Sequence, residues 1–191
     1  MKWDVVMIVL IFGISNVGKT SIGRKLAMNL EYDFRDLDDE IKRTFGTTLE
    51  GFMEIYPWLH ERFKVKGEIL KSLIERSQSN TVIAVSPIFY ARNFNRLLDL
   101  DNVIAIELQD SKENIFERLV FSDENDNVYT DDEYKNARKD RYLKRIQEDI
   151  VYVRNTFKKV KNKYFIANRS IEDAANDLAE LVPKLIVQKF Q

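Results

Sequence analysis

Residues 13–21 read Gly-Ile-Ser-Asn-Val-Gly-Lys-Thr-Ser, and the predicted fold follows from this motif. It matches the pattern G-x-x-x-x-G-K-[ST] of a phosphate-binding loop. An apolar run at 5–12 precedes the loop and a helical pattern over 19–30 follows it, which is the strand-to-helix setting that such a loop requires. The sequence therefore predicts a polyphosphate site between a buried strand and the start of a helix.

Each part of the loop has a chemical task. Gly13 and Gly18 let the backbone bend so that successive N–H groups point at the phosphates. We expect Lys19 to contact the β- and γ-phosphates and to act in catalysis, and the Thr20 hydroxyl to bind Mg²⁺. The expected nucleotide contacts in the loop are Gly13, Ser15, Asn16, Val17, Gly18, Lys19, Thr20 and Ser21. The alternative interpretation is an ordinary glycine-rich turn.

The composition is that of one globular domain without cysteine chemistry. The chain has 191 residues, 45% of them hydrophobic, which suffices for one well-buried core. Its 30 basic and 31 acidic residues give a net charge of −1, so no general attraction to nucleic acid or an anionic membrane is expected. The absence of cysteine excludes disulfides and thiolate metal sites. We expect a cytoplasmic protein and favour a monomer.

Short apolar runs alternate with helical patterns along the chain. The predicted strands cover 5–12, 32–36, 81–85, 103–108 and 164–167. The predicted helices cover 19–30, 38–44, 90–98, 111–121 and 170–190. This alternation predicts a three-layer α/β/α fold around a five-stranded parallel sheet, with ligands at the carboxyl ends of the strands.

Two segments lie outside this alternation. Residues 48–78 are mostly helical, and residues 122–160 begin with an acidic loop over 122–133 and continue as a long helix. Small phosphoryl-transfer kinases have this layout, with one excursion for the acceptor and one that closes as a lid. We therefore expect a single domain over 1–191 with both excursions. Four aromatic residues are predicted to lie in the core: Phe45, Phe52, Trp58 and Phe63.

Two aspartates stand at the end of the second predicted strand. Alternate residues of an extended chain point the same way, so Asp36 and Asp38 can both face the cleft. Phosphorylation of an alcohol needs a cation-bound triphosphate and a carboxylate that orients or deprotonates the hydroxyl. The alternative is a helix N-cap followed by acidic first-turn residues, which favours aspartate here without any catalysis.

The two motifs together resemble those of the shikimate kinases, a branch of the nucleoside-monophosphate-kinase-like P-loop proteins. The family's T-[ST]-x-G-x-x-L-A appears at 20–27, and its D-x-D-x-x-I-x-x-x-x-G appears at 36–46. The resemblance implies that ATP is the donor and that Asp36 belongs to the Mg²⁺ shell. It also implies that Asp38 holds and activates the hydroxyl of a small-molecule acceptor.

The resemblance extends to two arginines near the expected adenine. Arg118, within the segment 115–119, resembles a lid-entry arginine that stacks on the base. Arg169 lies in the loop 168–170, where the family wraps the adenine edge. For Arg118 the alternative is a solvated charge on a helix.

The acceptor site departs from the family pattern. The family's G-G-G turn after the third strand is replaced by Ala-Val-Ser-Pro-Ile at 84–88. The arginine that grips the shikimate carboxylate falls near Lys64, which cannot make a planar bidentate contact, or near Arg62 if the register slips. The sequence therefore leaves three alternatives for the identity of the acceptor: shikimate, another small polyol or acid, or a nucleoside-type molecule.

A basic stripe follows the acidic loop. Arg138, Arg141 and Arg145 are spaced three and four apart and share a helix face, with Lys135 nearby. As lid residues they could stabilise the transferring phosphoryl group, and Arg141 is the catalytic candidate. The alternative is an exposed, solvated helix face. A nucleotide-binding regulator without turnover is the alternative function, because the phosphate loop is intact while the acceptor site is altered.

Overall fold

A computed structural model describes residues 5–86 and 96–190. Its strands there are β1 Ile8–Phe12, β2 Asp33–Asp36, β3 Thr81–Ala84, β4 Val103–Gln109, β5 Phe121–Ser122, β6 Val128–Tyr129 and β7 Asn162–Phe165. Its longer helices there are α1 Lys19–Leu30, α2 Leu37–Phe45, α3 Leu49–Ile55, α4 Leu59–Arg76, α5 Lys112–Glu117, α6 Asp132–Asn136, α7 Lys139–Thr156 and α8 Ile171–Lys189.

Five of the strands form one parallel sheet in the order β2-β3-β1-β4-β7. The central strand is β1, in which Ile8 is aligned with Thr81 of β3 and with Val103 of β4. Every residue of β1 is buried, as expected for a parallel strand that is covered on both faces. The predicted α/β/α fold is confirmed.

Neighbouring residues of β1 contact different helical layers. On one side Ile11 lies near Gly23 of α1, where an added Cβ would meet the Ile11 side chain at 3.9 Å. On the other side the ring of Phe12 lies 5.6 Å from that of Phe157, which follows α7. Because successive strand side chains point to opposite faces, α1 covers one face of the sheet and the end of α7 covers the other. Helix α8 packs beside α1.

Strand β7 begins two residues earlier than the predicted range 164–167. Its polar first residues still pair with β4, because Asn162 donates a side-chain hydrogen bond to the Ala105 carbonyl (3.0 Å) and Lys163 pairs with Glu107. It ends earlier because Ala167 and Asn168 adopt left-handed backbone angles. Strand β7 therefore begins at polar residues that pair with β4, and it ends within the apolar stretch on which the prediction was based.

The predicted acidic loop contains a two-stranded antiparallel hairpin, β5–β6. Asp123 closes its turn by accepting hydrogen bonds from the backbone N–H groups of Asn125 and Asn127, both at 2.9 Å. Asp126 supplies the left-handed residue with φ of 62°. Local side-chain-to-backbone bonds of this kind make acidic, asparagine-rich segments good turns.

The aromatic prediction holds in part. Phe52 and Phe63 are buried, and the rings of Phe45 and Phe52 lie 5.2 Å apart. Trp58 is 65% exposed, so its assignment to the core was wrong. Trp58 occupies the corner between α3 and α4, where its carbonyl accepts the first hydrogen bonds of α4 and its side chain points outward.

Some predictions fall on residues outside the described ranges. The predicted helix 90–98 lies there up to residue 95, as do Pro87 and Ile88 of the replaced glycine turn. Among the helices of the described residues, none combines the length and apolar character that a membrane span needs.

We predict that Gly67→Ala raises the free energy of unfolding by about 1 kcal/mol, because alanine is the better helix former and an added Cβ meets nothing within 4 Å. Gly46→Ala is the matched control. It also has open space, but its φ of 62° is left-handed, so alanine there should cost about 1 kcal/mol. Urea unfolding of both variants measures the difference. If both substitutions changed the free energy of unfolding by the same amount and in the same direction, the different backbone conformations assigned to Gly67 and Gly46 would be contradicted.

Candidate active site

The phosphate loop lies at the carboxyl end of β1. Gly13 has φ of 147° and Gly18 has φ of 107°, which side-chain-bearing residues rarely adopt. At Gly13 an added Cβ would also come within 2.7 Å of the Leu108 carbonyl oxygen. Both glycines are therefore needed for the path of the loop, as the sequence pattern predicts.

Lys19 begins α1 and turns back over the loop. Its Nζ donates a hydrogen bond of 2.8 Å to the carbonyl of Ile14. Burial lowers the pKa of Lys19 to about 8, although the carboxylates of Asp38 and Asp36 act in the opposite direction. The ammonium is thus held in the centre of a loop whose N–H groups favour an anion.

Asp36 connects the loop to the second strand. Its Oδ2 accepts a hydrogen bond from the Thr20 hydroxyl at 2.7 Å, and its Oδ1 accepts one from the backbone N–H of Asp38 at 2.9 Å. Asp36 is therefore also the N-cap of α2, which confirms capping at this position and leaves its role in the site a prediction. Burial raises the pKa of Asp36, while the two hydrogen bonds oppose that shift.

Asp38 lies in the first turn of α2 and faces the loop. Its Oδ1 is buried and has no hydrogen-bond partner among the described residues. Within the described part of the chain this oxygen pairs with Lys66 of α4, whose Nζ lies 3.6 Å away and donates a hydrogen bond of 3.2 Å to the Ser86 hydroxyl. A buried carboxylate oxygen without a partner is suited to accept a hydrogen bond from a ligand hydroxyl.

These groups surround a cleft of about 190 Å³. It is lined by Ser15, Asn16, Lys19, Thr20, Asp36, Asp38, Ala84 and Ser86. The lining comes from the carboxyl ends of β1, β2 and β3, because parallel strands end at the same edge of the sheet. The structure thus brings together the predicted Lys19, Thr20, Asp36 and Asp38.

Lys66 and Ser86 were missed by the sequence analysis. The candidates predicted on the same segment were Arg62 and Lys64. Lys64 is exposed in the structure, whereas Arg62 is half-buried and its Nε has no hydrogen-bond partner among the described residues. The available signal was that Lys66 follows Arg62 by four residues and so shares its helix face.

A second cleft of about 470 Å³ lies on the other side of the loop. It is lined by Asn16, Val17, Gly18, Lys19, Thr20, Ser21, Ile22, Arg118, Val120, Val128, Ile166, Arg169 and Ile171. All the loop residues named as nucleotide contacts except Gly13 and Ser15 therefore border it. Apolar side chains and two arginines around a phosphate loop can hold the base and the sugar of a nucleotide.

Both predicted adenine-side arginines border this second cleft. Arg118 pairs with the buried Asp110 at 2.6 Å, so its guanidinium has a fixed position. Arg169 pairs with Asp177 at 3.2 Å and donates a hydrogen bond to the Phe165 carbonyl at 3.3 Å. Asp110 as the partner of Arg118 had no signal in the sequence, because the pair depends on how α5 returns to the end of β4.

The basic stripe does not face either cleft. Arg141 and Arg145 are exposed on α7, and Arg138 stacks on the Tyr134 ring at 3.7 Å. Lys135 is buried and pairs with Asp132 at 2.9 Å. The structure therefore separates Lys135 from the stripe, and the catalytic role of Arg141 stays a prediction.

The acidic turn of the hairpin β5–β6 contacts the first excursion. Asp126 accepts a hydrogen bond of 3.2 Å from the N–H of Leu49 at the start of α3, and it lies 3.9 Å from the Lys42 ammonium. Val128 of the same hairpin borders the nucleotide-side cleft. The hairpin thus borders the nucleotide-side cleft and also contacts α2 and α3.

Three comparisons place this geometry among known proteins. The family model described as Shikimate kinase matches residues 15–178. The chain is 31% identical over 130 residues to a probable gluconokinase of Xenopus tropicalis, covering 60% of this chain and 68% of that protein. It is 30% identical over 133 residues to a shikimate kinase of Hahella chejuensis, covering 70% of this chain and 58% of that enzyme.

The fold also resembles a solved structure over most of its length. The shikimate kinase structure from Bacteroides thetaiotaomicron aligns with a TM-score of 0.73 and 19% identity. The alignment covers 94% of this chain and 99% of that one. At this level of identity the similarity concerns the fold.

We predict that affinity for ATP falls as the pH rises through about 8. In the free protein Lys19 loses its proton near this pH, whereas a bound triphosphate stabilises the protonated form and raises its pKa again. Binding is therefore strongest below pH 8. Calorimetric titrations with ATP between about pH 6.5 and 9.5 measure the change.

Two variants control this prediction. Lys19→Met should lower the affinity by about tenfold or more and remove its dependence on Lys19 protonation. Lys25 lies on the same helix but pairs with Glu172 at 2.7 Å, so Lys25→Met should change neither the affinity for ATP nor its pH dependence. An unaltered ATP affinity in Lys19→Met would contradict the assignment of the loop.

Proposed function

Because the chain belongs to the shikimate kinase family, we propose that it transfers the γ-phosphoryl group of ATP to a hydroxyl of a small hydroxy acid. The observation that carries this proposal is the joining of Thr20, Asp36 and Asp38 at the mouth of the phosphate loop. The two named relatives support the acceptor class, since gluconate and shikimate are both carboxylic acids with several hydroxyls.

The family membership confirms two predictions made from the motifs. The resemblance to shikimate kinases is confirmed, and so is the identification as an ATP-dependent small-molecule kinase. The relative named as a probable gluconokinase supports a sugar acid as a further candidate acceptor. The identity of the acceptor therefore belongs to the proposal.

The donor half of the proposed site is the phosphate loop with its flanking arginines. The backbone N–H groups of 13–21 and the Lys19 ammonium bind the β- and γ-phosphates, and Lys19 stabilises the charge of the transferred group. Arg118 and Arg169 border the cleft in which the base would lie. Pairing with Asp110 keeps the Arg118 guanidinium in place, as stacking on a base requires.

The metal site of the proposal is made by Thr20 and Asp36. A hydroxyl and a carboxylate held 2.7 Å apart are hard oxygen ligands of the kind that Mg²⁺ prefers. The described residues contain no cluster of three or more His, Cys, Asp or Glu side chains that could hold a metal alone. This fits Mg²⁺, which is bound through one or two protein ligands together with substrate phosphates. When bound, it neutralises phosphate charge during transfer.

The acceptor half is built around Asp38. Its buried Oδ1, which has no hydrogen-bond partner among the described residues, would accept the hydrogen bond of the acceptor hydroxyl and orient that oxygen toward the γ-phosphate. Arg62 is suited to the carboxylate of the acceptor, because its buried Nε also has no partner among the described residues. Two such groups call for a ligand with one hydroxyl and one anionic group.

Two further assignments belong to the proposal. Residues 48–78 would bind the acceptor and residues 122–160 would close as a lid, since the hairpin in the second segment contacts the first through Asp126 and Leu49. The cysteine-free composition fits a reducing compartment, so we place the enzyme in the cytoplasm. The alternative function, a nucleotide-binding regulator without turnover, is tested by the same assay as the kinase.

We predict that ATP consumption with Mg²⁺ is stimulated by gluconate, shikimate or a related hydroxy acid, and that Asp38→Asn lowers turnover by at least about 100-fold. The amide keeps the shape of the side chain but cannot accept the hydroxyl proton. The control is Asp39→Asn, the exposed neighbour that pairs with Lys42 at 3.0 Å and should keep its rate. If ATP binds and no acceptor stimulates its use, the regulator interpretation replaces the kinase.

We also predict that Arg141→Ala lowers turnover while the free energy of unfolding changes little, because Arg141 is exposed on α7 and acts only when residues 122–160 close over the site. Arg145→Ala, one turn further along, is the comparison. Steady-state kinetics and urea unfolding measure both variants. An unchanged rate in Arg141→Ala would assign this residue to a solvated helix face.

A further inference from the structure

Lys66 occupies a position that the donor and acceptor assignments leave unused. It lies on α4 with only 17% of its side chain exposed. Its Nζ donates a hydrogen bond of 3.2 Å to Ser86, a buried residue just beyond β3. The same Nζ lies 3.6 Å from Asp38 Oδ1, the oxygen assigned to the acceptor hydroxyl.

The Lys66 ammonium therefore competes with the acceptor hydroxyl. An ion pair in a partly buried site is stronger than one in water, because both charges have lost part of their hydration. A neutral acceptor offers Lys66 no other anion, so its hydroxyl must share Asp38 with the ammonium. An acceptor with a carboxylate offers a second anion and can draw the ammonium toward itself.

We infer that Lys66 is a specificity-determining residue that selects acceptors bearing an anionic group, by exchanging its pairing with Asp38 for pairing with that group. The inference rests on the proposed function and names the acceptor class of the same site. Ser86 keeps the ammonium at the border of the cleft during the exchange, since its hydroxyl borders that cleft and remains a partner throughout.

The position of Arg62 supports this inference. Arg62 and Lys66 are four residues apart on α4 and so lie on the same helix face. A carboxylate that binds the unpartnered Nε of Arg62 therefore lies one helical turn from the Lys66 side chain. Two neighbouring cations on one face favour an anion over a neutral hydroxyl group.

The experiment compares matched acceptors and matched lysine variants. The acceptors are gluconate against its neutral counterpart sorbitol, and shikimate against its methyl ester. The variants are Lys66→Met, Lys66→Arg and, as the control, Lys64→Met. Lys64 is exposed on the same helix, and methionine keeps the helix propensity and the length of the apolar stem. Kinetics give KM and kcat for each acceptor, and calorimetry in the presence of ADP and Mg²⁺ gives binding alone.

We expect Lys66→Met to raise KM for the carboxylate acceptor by about 10- to 100-fold, while KM for the neutral counterpart stays the same or falls. The preference for the anion should therefore collapse. Lys66→Arg should keep most of this preference because it retains the charge, and KM for ATP should be unchanged. Lys64→Met should behave as the unmodified protein. A merely structural role would affect both acceptors alike.

Two outcomes would overturn the inference. One is a Lys66→Met variant that still prefers the carboxylate acceptor by the same factor. The other is an unmodified protein that binds neither carboxylate in calorimetry. Failure of the proposed function is distinguishable from both, because a protein that binds a carboxylate through Lys66 without phosphorylating it supports the inference and contradicts the kinase.

Discussion

One carboxylate holds the two halves of the site together. Asp36 accepts the Thr20 hydroxyl with one oxygen and the backbone N–H of Asp38 with the other. Thr20 belongs to the phosphate loop, and Asp38 belongs to the first turn of α2, which leads into the acceptor excursion. The distance between the phosphate loop and the proposed acceptor base therefore depends on these two hydrogen bonds, and burial raises the pKa of the carboxyl that makes them.

The sheet makes this connection possible. Asp36 is aligned with Ala84 of β3, and β3 pairs with β1, whose end leads into the loop. Parallel strands end at a common edge, so residues far apart in the chain meet there without long connections. The acidic hairpin adds a contact from the other side, because Asp126 accepts the N–H of Leu49. The two excursions are thus joined to each other by this hydrogen bond.

Features that depend on residues close together in the chain could be predicted from the sequence. The buried runs at β1, β3 and β4, the bounds of α1 and the pair Asp36 and Asp38 follow from spacing alone. Contacts between helices and strands that are distant in the chain could not be predicted from the sequence. Lys66 approaches Asp38 only because α4 packs across α2. Its spacing of four residues from Arg62 places both on one helix face, but the spacing does not indicate what that face contacts.

The errors have physical reasons of the same kind. Trp58 was assigned to the core by its residue type, but its backbone position at a helix corner turns the side chain toward solvent. Lys135 was grouped by its charge with the basic stripe of Arg138, Arg141 and Arg145. It is buried with its ammonium 5.5 Å from the centre of the Phe116 ring, where its apolar stem can pack and its charge keeps a partner. Neither environment is visible in a one-dimensional pattern.

The most direct test of the central claim is a crystal structure with a non-hydrolysable ATP analogue, Mg²⁺ and the hydroxy acid that stimulates turnover. In this complex the metal should contact the Thr20 hydroxyl and the Asp36 carboxylate, and the reacting hydroxyl should lie within hydrogen-bond distance of Asp38, facing the γ-phosphate. A hydroxy acid bound away from Asp38, or a metal that contacts neither Thr20 nor Asp36, would contradict the claim.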